Sequence, residues 1–242
     1  MSSVADEVRG ELRLHASEEK ATLLGRFFKT GPGDYGEGDV FIGVKVPETR
    51  RIAKRYFKAI RQGGVRALLA SRIHEERLAA LIMMVLQFEK GSPEGKEDIY
   101  RLYLASTRRI NNWDLVDISA GQIVGGYLFD RDREILYRLA SSDNLWERRI
   151  AVIATFYFIR KGQYGDTLGI SEKLLGDRED LIHKATGWML RETGKRDKGT
   201  LVKFIKKNYK QMPRTMLRYA IELFPEKERQ MYLRGRFGPK GS

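Results

Sequence analysis

The sequence contains no cysteine, three histidines and six prolines among its 242 residues. The absence of cysteine excludes a disulfide scaffold, a Cys-ligated zinc site and thiol catalysis. The histidines are His15, His74 and His183, which are far apart and form no metal-ligand motif. No apolar run approaches the ~18 residues of a membrane span, and the N-terminus lacks the pattern of a signal peptide. We therefore expect a soluble, cytoplasmic protein with no membrane attachment and no metal site.

Nucleotide-binding and hydrolase signatures are also absent, since neither GxxxxGK[ST], GxGxxG nor GxSxG occurs. Positive charge, in contrast, is abundant. The 45 Lys and Arg exceed the 32 Asp and Glu, so the net charge is +13. A surplus of this size indicates a polyanionic partner. The length suffices for a large core, and we expect one domain over residues 1–233 followed by a disordered, basic tail over 234–242.

Apolar residues recur with the 3.6-residue period of the α-helix, and alternating strand patterns are scarce. Ser17 is a predicted N-cap, and Pro47 predicts a helix start. The segment GPGDYGEGD (31–39) predicts a loop whose acidic residues face solvent. The predicted helices cover residues 17–30, 46–62, 63–70, 73–89, 93–105, 113–126, 129–141, 145–161, 166–175, 178–194, 197–208, 213–224 and 226–233.

A faint repeat runs through these helices. A basic residue shortly before an alanine recurs at Ala79, Ala151, Ala185 and Ala220, and the last three alanines follow one another at about 35 residues. This period predicts stacked antiparallel helical hairpins of the HEAT-like kind. The expected fold is therefore an all-α, curved solenoid with a basic concave groove, which suits a nucleic-acid duplex.

The segment NNWDLVD (111–117) combines an indole and a carboxylate. Trp113 and Asp117 are four residues apart and share one face of a helix, and Gly121 and Gly125 continue this stripe. Such a stripe suits a wall that a ligand approaches closely. The alternative is that the glycines let a neighbouring helix pack tightly and that Asp117 caps a helix or pairs with an arginine.

Two arginines follow a predicted helix N-cap, Asp143 or Asn144, in DNLWERR (143–149). Arg148 and Arg149 lie in the first helical turn, where the helix dipole disfavours cations. A phosphate or the carboxylate of Asp117 would favour a cation there. An ordinary ion pair with a neighbouring acid is the alternative.

Cations and one tryptophan share a face in residues 184–195. Lys184, Trp188, Arg191 and Lys195 follow one another at helical spacing. A basic face with an indole suits phosphates and sugars, whereas the alternative is a Trp at the edge of the core flanked by solvated cations. Other predicted DNA contacts are Arg148, Lys45, Arg50, Arg51, Lys203, Lys206, Lys207, Arg214 and Arg218.

In these segments the sequence resembles the AlkD-type DNA alkylation repair family, the HEAT-like-repeat DNA glycosylases. The resemblance covers most of the chain. It rests on the order and spacing of FIGVKVPETRRIAK (41–54), NNWDLVD (111–117), NLWERR (144–149), IHKATGWMLRETGK (182–195) and MPRTMLRYAIELFPEKER (212–229).

The resemblance implies a site and a reaction. Asp117 falls on the catalytic carboxylate, Trp113 and Trp188 on the active-site tryptophans, and Arg149 on the family arginine, with Arg148 as the alternative if the register slips. The implied activity is excision of N3- and N7-alkylated purines from double-stranded DNA by a monomer, with no cofactor and no flipping of the base into a pocket.

One carboxylate is chemically sufficient for this reaction. Alkylation at N3 or N7 makes the purine cationic, so it departs as a neutral group, and the acid that a glycosidase needs is unnecessary. An ionised Asp can stabilise the oxocarbenium-like sugar and position water, and tryptophan faces can support the cation. Two alternatives remain at this point: a non-catalytic DNA-binding α-solenoid, and a protein-interaction scaffold.

Overall fold

The structure is a computed structural model that describes residues 3–236. Within this range the secondary structure is helical, and the one extended pairing is an isolated bridge between Val40 and Ile73. The predicted all-α class is therefore confirmed. None of the helices in this range is long and apolar enough to cross a membrane. Residues 237–242 of the predicted tail lie outside the described range. The last described residue is Arg236, whose backbone N–H donates to the carbonyl of Met231 at 2.8 Å.

The helices divide into two compact units, residues 1–127 and 128–242. The first unit contains α1 (Val4–Leu14), α2 (Glu18–Phe27), α3 (Val46–Tyr56), α4 (Gln62–Leu69), α5 (His74–Lys90), α6 (Pro93–Leu104), a 3₁₀ turn (Thr107–Arg109), α7 (Trp113–Asp117) and a π turn (Gly121–Gly125), and α8 (Gly126–Leu128) contains the boundary. Helix α5 is its centre, because α1, α3, α4, α6 and α7 all pack against it.

A capping box begins the first helix. The hydroxyl of Ser3 accepts the backbone N–H of Asp6, and the carboxylate of Asp6 accepts the backbone N–H of Ser3. Ala5, Val8 and Leu12 are buried on one side of α1. This helix was missing from the predicted set, although its capping pattern is visible in the sequence.

Several predicted helix starts are confirmed. Ser17 caps α2, Pro47 lies in the first turn of α3, and Asn144 caps α10 through its side chain. The helix predicted over 46–62 is shorter than expected, because α3 ends at Tyr56 and α4 begins at Gln62.

The second unit is built around α10 and α12. It contains α9 (Glu134–Leu139), α10 (Leu145–Arg160), α11 (Gly165–Lys173), α12 (Asp180–Gly194), α13 (Lys198–Asn208), α14 (Arg214–Ala220) and α15 (Glu226–Leu233). Helix α12 packs against α10, α11, α13 and α14. Its apolar core includes Leu190, Leu201, Met216 and Ile221.

In both units helices pack mainly on helices one or two places further along the chain, an order typical of α-solenoids. The recurring alanines of the sequence pattern, Ala79, Ala151, Ala185 and Ala220, are all buried. Small residues at these positions let neighbouring helices approach closely. The single domain expected over residues 1–233 stays a prediction.

Candidate active site

The tryptophan and aspartate of the predicted stripe lie on one short helix. The side-chain oxygen of Asn112 caps α7 by accepting the backbone N–H of Trp113 at 2.9 Å. Trp113 begins the helix and Asp117 ends it one turn later, and both side chains are half-buried. Leu115 and Val116 between them are fully buried. The helix is thus anchored through its apolar residues and leaves the indole and the carboxylate partly exposed.

A stack of aromatic rings supports Trp113. Its indole lies 5.2 Å from the ring of Phe28, with 16° between the planes. Phe28 stacks on Phe41 at 4.9 Å, and Phe41 stacks on the imidazole of His74 at 4.4 Å. Phe27 lies edge-on to Trp113 at 6.1 Å and is 63% exposed. Because stacked and edge-on contacts favour particular ring orientations, they hold the plane of the indole.

A buried polar cluster holds the beginning of α7. His74 Nε2 lies 2.8 Å from Asp114 Oδ2, and His74 Nδ1 lies 3.1 Å from Asp39 Oδ2. Arg77 Nη2 donates to Asp39 at 2.6 Å, and Asn112 Nδ2 donates to the same carboxylate at 3.3 Å. We call these five residues the His74 cluster. It connects the loop before α3 to α5 and α7.

The loop over residues 31–39 has the predicted turns, but the expected exposure of its acidic residues is wrong at Asp39. This side chain is buried because it accepts hydrogen bonds from His74 and Arg77. The sequence carried no signal for this. The partners of Asp39 are more than thirty residues away, and local composition describes only the polarity of the loop.

The predicted helix over 113–126 is interrupted after α7. Its second half is a π turn, in which Gly121 and Gly125 are buried. This turn packs against α5 and α6. Burial of the two glycines in a turn that packs against helices is consistent with the alternative interpretation of the stripe, and the role of the glycines stays a prediction. Turns of the π type are frequent at functional sites.

A buried phenol lies near Asp117. The hydroxyl of Tyr103, on α6, lies 3.0 Å from Ser119 Oγ, and Ser119 donates to the carbonyl of Leu115 at 2.5 Å. Tyr103 therefore donates to Ser119. Burial raises the pKa of Tyr103 far above its usual range, and the negative charge of Asp117 raises this pKa further. The phenol consequently remains a hydrogen-bond donor at neutral pH.

The two arginines at the start of α10 have different partners. Arg148 donates from Nε to Asp177 at 2.6 Å and from Nη1 to the carbonyl of Ser142 at 2.9 Å. Arg149 is 5% exposed and donates to the carbonyl of Leu181, in α12, at 2.6 Å. Ion pairing thus offsets the unfavourable dipole for Arg148, whereas Arg149 joins α10 to α12.

Trp188 lies on the helix that Arg149 contacts. Its indole N–H donates to Glu192 Oε1 at 3.3 Å, and its ring lies 5.9 Å from that of Phe156. Glu192 is buried and also accepts a hydrogen bond from Lys195 at 2.6 Å. Two of the four predicted catalytic residues therefore lie on adjoining helices of the second unit, and the other two lie on α7 of the first.

The predicted DNA-binding cations fall into two groups. Contacts within the protein connect Arg51 to Glu48, Arg148 to Asp177, Lys184 to Asp180, Arg191 to Glu222, Lys195 to Glu192, Lys207 to Glu172 and Arg214 to the carbonyl of Leu233. The exposed side chains of the second group are Lys45, Arg50, Lys203, Lys206 and Arg218. Exposed ion pairs contribute at most ~1 kcal/mol, so a phosphate can compete for the paired cations. Their contacts with DNA stay predictions.

A cavity of about 310 Å³ lies beside the aromatic stack in the first unit. Its wall is mainly apolar, and His74 and Asp114 form part of it. Among residues 3–236, no group of His, Asp and Glu side chains is arranged to hold a metal ion.

The comparisons with known proteins agree with this architecture. Residues 8–224 match the family described as "DNA alkylation repair enzyme". A solved structure titled "Predicted DNA alkylation repair enzyme from Enterococcus faecalis" has the same fold, with a TM-score of 0.68 and 17% sequence identity over 88% of this chain and 98% of that chain. Among curated proteins, none matches the sequence. Because the family match spans most of the sequence, this chain belongs to the DNA alkylation repair enzyme family, whose substrate is DNA.

Proposed function

We propose that the protein is a monofunctional DNA glycosylase that hydrolyses the N-glycosidic bond of N3- and N7-alkylated purines in duplex DNA. The observation that carries this proposal is the placement of Asp117, half-buried and one turn from Trp113 in a member of this family. The other acid of α7, Asp114, binds His74 and the backbone N–H of Leu115. The resemblance to the family places the catalytic carboxylate at Asp117, and we assign the chemistry to this residue, whereas Asp114 belongs to the His74 cluster.

The reaction needs little from the protein. As the bond to the cationic purine breaks, the base leaves neutral and the sugar acquires positive charge at C1′. The carboxylate of Asp117 stabilises this charge, and its surroundings are prepared before the substrate arrives, since α7 is held by buried groups. Water then attacks C1′ and loses a proton, which leaves an abasic site and the free base.

The tryptophans and arginine have supporting roles. Trp113 presents an electron-rich ring face to the cationic sugar. For Trp188 and Arg149 the resemblance to the family implies contacts with the substrate as well, through the indole face of Trp188 and through a phosphate of the damaged strand for Arg149. The net charge of +13 and the exposed lysines favour contacts with the DNA backbone. The base itself is not flipped into a pocket, so the sugar and backbone provide the recognition.

The Asp117→Asn variant tests this assignment. It keeps the shape of the side chain and removes the charge, so release of 7-methylguanine from a duplex should fall about 10²–10³-fold. Duplex affinity should change little. Single-turnover base release and fluorescence anisotropy measure the two properties, with Asp130→Asn, an exposed acid of the second unit, as the control.

Unchanged base release by Asp117→Asn would show that another group carries the reaction. If the parent binds duplex DNA but releases neither 7-methylguanine nor an N3-alkylated adenine, the protein is instead a non-catalytic DNA-binding α-solenoid.

A further inference from the structure

His74 has two carboxylate partners, one for each ring nitrogen. It is 1% exposed, and its nitrogens lie 2.8 Å from Asp114 and 3.1 Å from Asp39. An ionised carboxylate only accepts hydrogen bonds. Both ring nitrogens must therefore donate, and only the imidazolium has two N–H groups.

The charges around this ring balance when His74 is protonated. Asp39 faces the ring from the loop before α3, Asp114 faces it from α7, and Arg77 approaches from α5 itself, with Nη2 3.5 Å from Nδ1. The next acid along α5, Glu75, instead accepts the backbone N–H groups of residues 42–44. Two carboxylates thus face two cations. Loss of the His74 proton would leave a net negative charge in a buried site and place a ring lone pair against a carboxylate, which is costly.

The protonation equilibrium has the direction that this geometry requires. Burial alone would lower the pKa of His74, but the hydrogen bonds to Asp114 and Asp39 outweigh burial, and the pKa lies above its usual value. The stabilisation from the charged ring is therefore complete at acidic pH and is lost as the pH rises through this pKa. The ring also lines the 310 Å³ cavity.

Two residues of the His74 cluster, Asn112 and Asp114, lie at the beginning of α7. Asp114 follows Trp113 in the chain and precedes Asp117 by three residues. Asn112, the N-cap of α7, donates to Asp39, and the aromatic stack that supports Trp113 ends on the His74 ring. A change in the charge of His74 therefore acts on both supports of α7.

We propose that protonated His74 is a positioning residue for base release, because it holds α7 and thereby fixes where Trp113 and Asp117 meet the substrate. This inference rests on the proposed glycosylase function. His74 contacts Asp114 and Asp39 and acts through them, so it takes no part in the chemistry itself. Displacements of about 1 Å at reacting groups cost up to about 10²-fold in rate, which sets the scale of the expected effect.

The first experiment measures, without any catalysis, whether the protonation of His74 changes the environment of Trp113. The chain has three histidines and three tryptophans, so side-chain resonances of the ¹³C,¹⁵N-labelled full chain can be resolved and followed against pH. We expect His74 to titrate above 6.5 and the indole N–H of Trp113 to shift with the same midpoint. Asp114→Asn removes one of the two carboxylate charges and should lower both midpoints. In His183→Gln, the control in the second unit, both midpoints should be unchanged.

The second experiment reads catalysis. Single-turnover release of 7-methylguanine should fall as the pH rises through the midpoint measured for His74. In His74→Gln, which cannot titrate, release at neutral pH should be about 10–100-fold lower and this alkaline fall should be absent. Asp114→Asn should move the fall to lower pH, which also tests the idea if His74→Gln does not fold. Thermal melting establishes whether each variant is folded.

The outcomes separate the two proposals. If the parent releases no alkylpurine at any pH while His74 and Trp113 titrate together, the glycosylase function fails and the structural hold on α7 stands. A neutral His74 ring at pH 7, or a Trp113 resonance that ignores the titration, would overturn the positioning role. Folded His74→Gln with the parental rate and pH profile would overturn it as well.

Discussion

Glu192 shows how one buried acid can orient an indole in the second unit. Its carboxylate accepts the indole N–H of Trp188 and also binds Lys195 and Arg196. Trp113, in the first unit, stacks on the ring of Phe28. The two candidate active-site tryptophans are thus positioned by different forces: a charge-assisted hydrogen bond for one and ring stacking for the other.

Asp39 gives a prediction for stability against pH. Burial would raise the pKa of Asp39, but the hydrogen bond from His74 and the charge of Arg77 outweigh burial, so the pKa lies below its ordinary value of 3.8. A carboxyl group whose pKa is lower in the folded state stabilises the fold at pH values above its unfolded-state pKa. This stabilisation is lost as the pH falls through the folded-state pKa. The stabilisation from Asp39 is therefore lost at acidic pH, whereas the stabilisation from protonated His74 is lost as the pH rises.

Replacing Asp39 by Asn should therefore destabilise the protein most near neutral pH. Breaking a buried charge pair costs about 3–5 kcal/mol, and this difference from the parent should narrow below pH 3.8. Urea unfolding followed by circular dichroism, from pH 7 to pH 3, measures the difference. Asp98→Asn, at an exposed position of α6, is the control and should change stability by less than ~0.5 kcal/mol. A gap for Asp39→Asn that stayed constant over this range would contradict the pKa direction.

Helix α12 packs so closely on α14 that one of its glycines has no room for a side chain. A Cβ at Gly187 would lie 2.5 Å from Tyr219 Cβ and 2.6 Å from the backbone oxygen of Met216, both in α14. At Gly10, inside α1, the corresponding position has no heavy atom within 4 Å apart from the neighbouring residues and the backbone of its own helix. The two glycines occupy helix interiors in opposite environments, which makes them a matched pair.

Alanine at these two positions should have effects of opposite sign. Gly187→Ala should lower the free energy of unfolding by about 1–3 kcal/mol through overpacking, because neither contact is the end of a flexible side chain. Gly10→Ala should raise it by about 0.4–1 kcal/mol, since alanine reduces the entropy of the unfolded chain. Thermal or urea unfolding of both variants measures this. A gain in stability from Gly187→Ala would contradict the tight contacts at this position, and a loss from Gly10→Ala would contradict the open position in α1.

The helices were largely predictable from the sequence because apolar periodicity and caps are local signals. The start of α2 at Ser17 and the burial of Ala151 and Ala185 follow from such signals. The break of the predicted 113–126 helix into α7 and a π turn does not. It accompanies the packing of the π turn against α5 and α6, which are other elements of the chain and leave no signal in the local pattern.

The candidate site was predictable only in part, for the same reason. Trp113 and Asp117 share a helical turn, so spacing alone placed them together. The His74 cluster joins residues from positions 39 to 114, and no local pattern links them. Phe28 lies in the segment predicted as a helix over 17–30, and that prediction does not indicate that Trp113 stacks on its ring.

For the molecule as a whole, the excess of positive charge is the property most relevant to its substrate. A net charge of +13 raises affinity for any polyanion, and specific phosphate contacts add to this general attraction. The two contributions differ in how they depend on position. A general field responds equally to the loss of any exposed lysine, whereas a phosphate contact responds only to the lysine that makes it.

Salt dependence of duplex binding separates them. Each phosphate neutralised by the protein contributes about −0.9 to the slope of log Kobs against log salt concentration, so Lys206→Gln, in α13, should reduce the magnitude of the slope by about 0.9. Lys161→Gln removes the same charge from an exposed position at the end of α10 and should leave the slope nearly unchanged. Anisotropy of a labelled duplex, measured at NaCl concentrations from about 50 to about 200 mM, gives both slopes. If both variants reduced the magnitude of the slope equally, net charge would account for the salt dependence, and a contact between Lys206 and a phosphate would be ruled out.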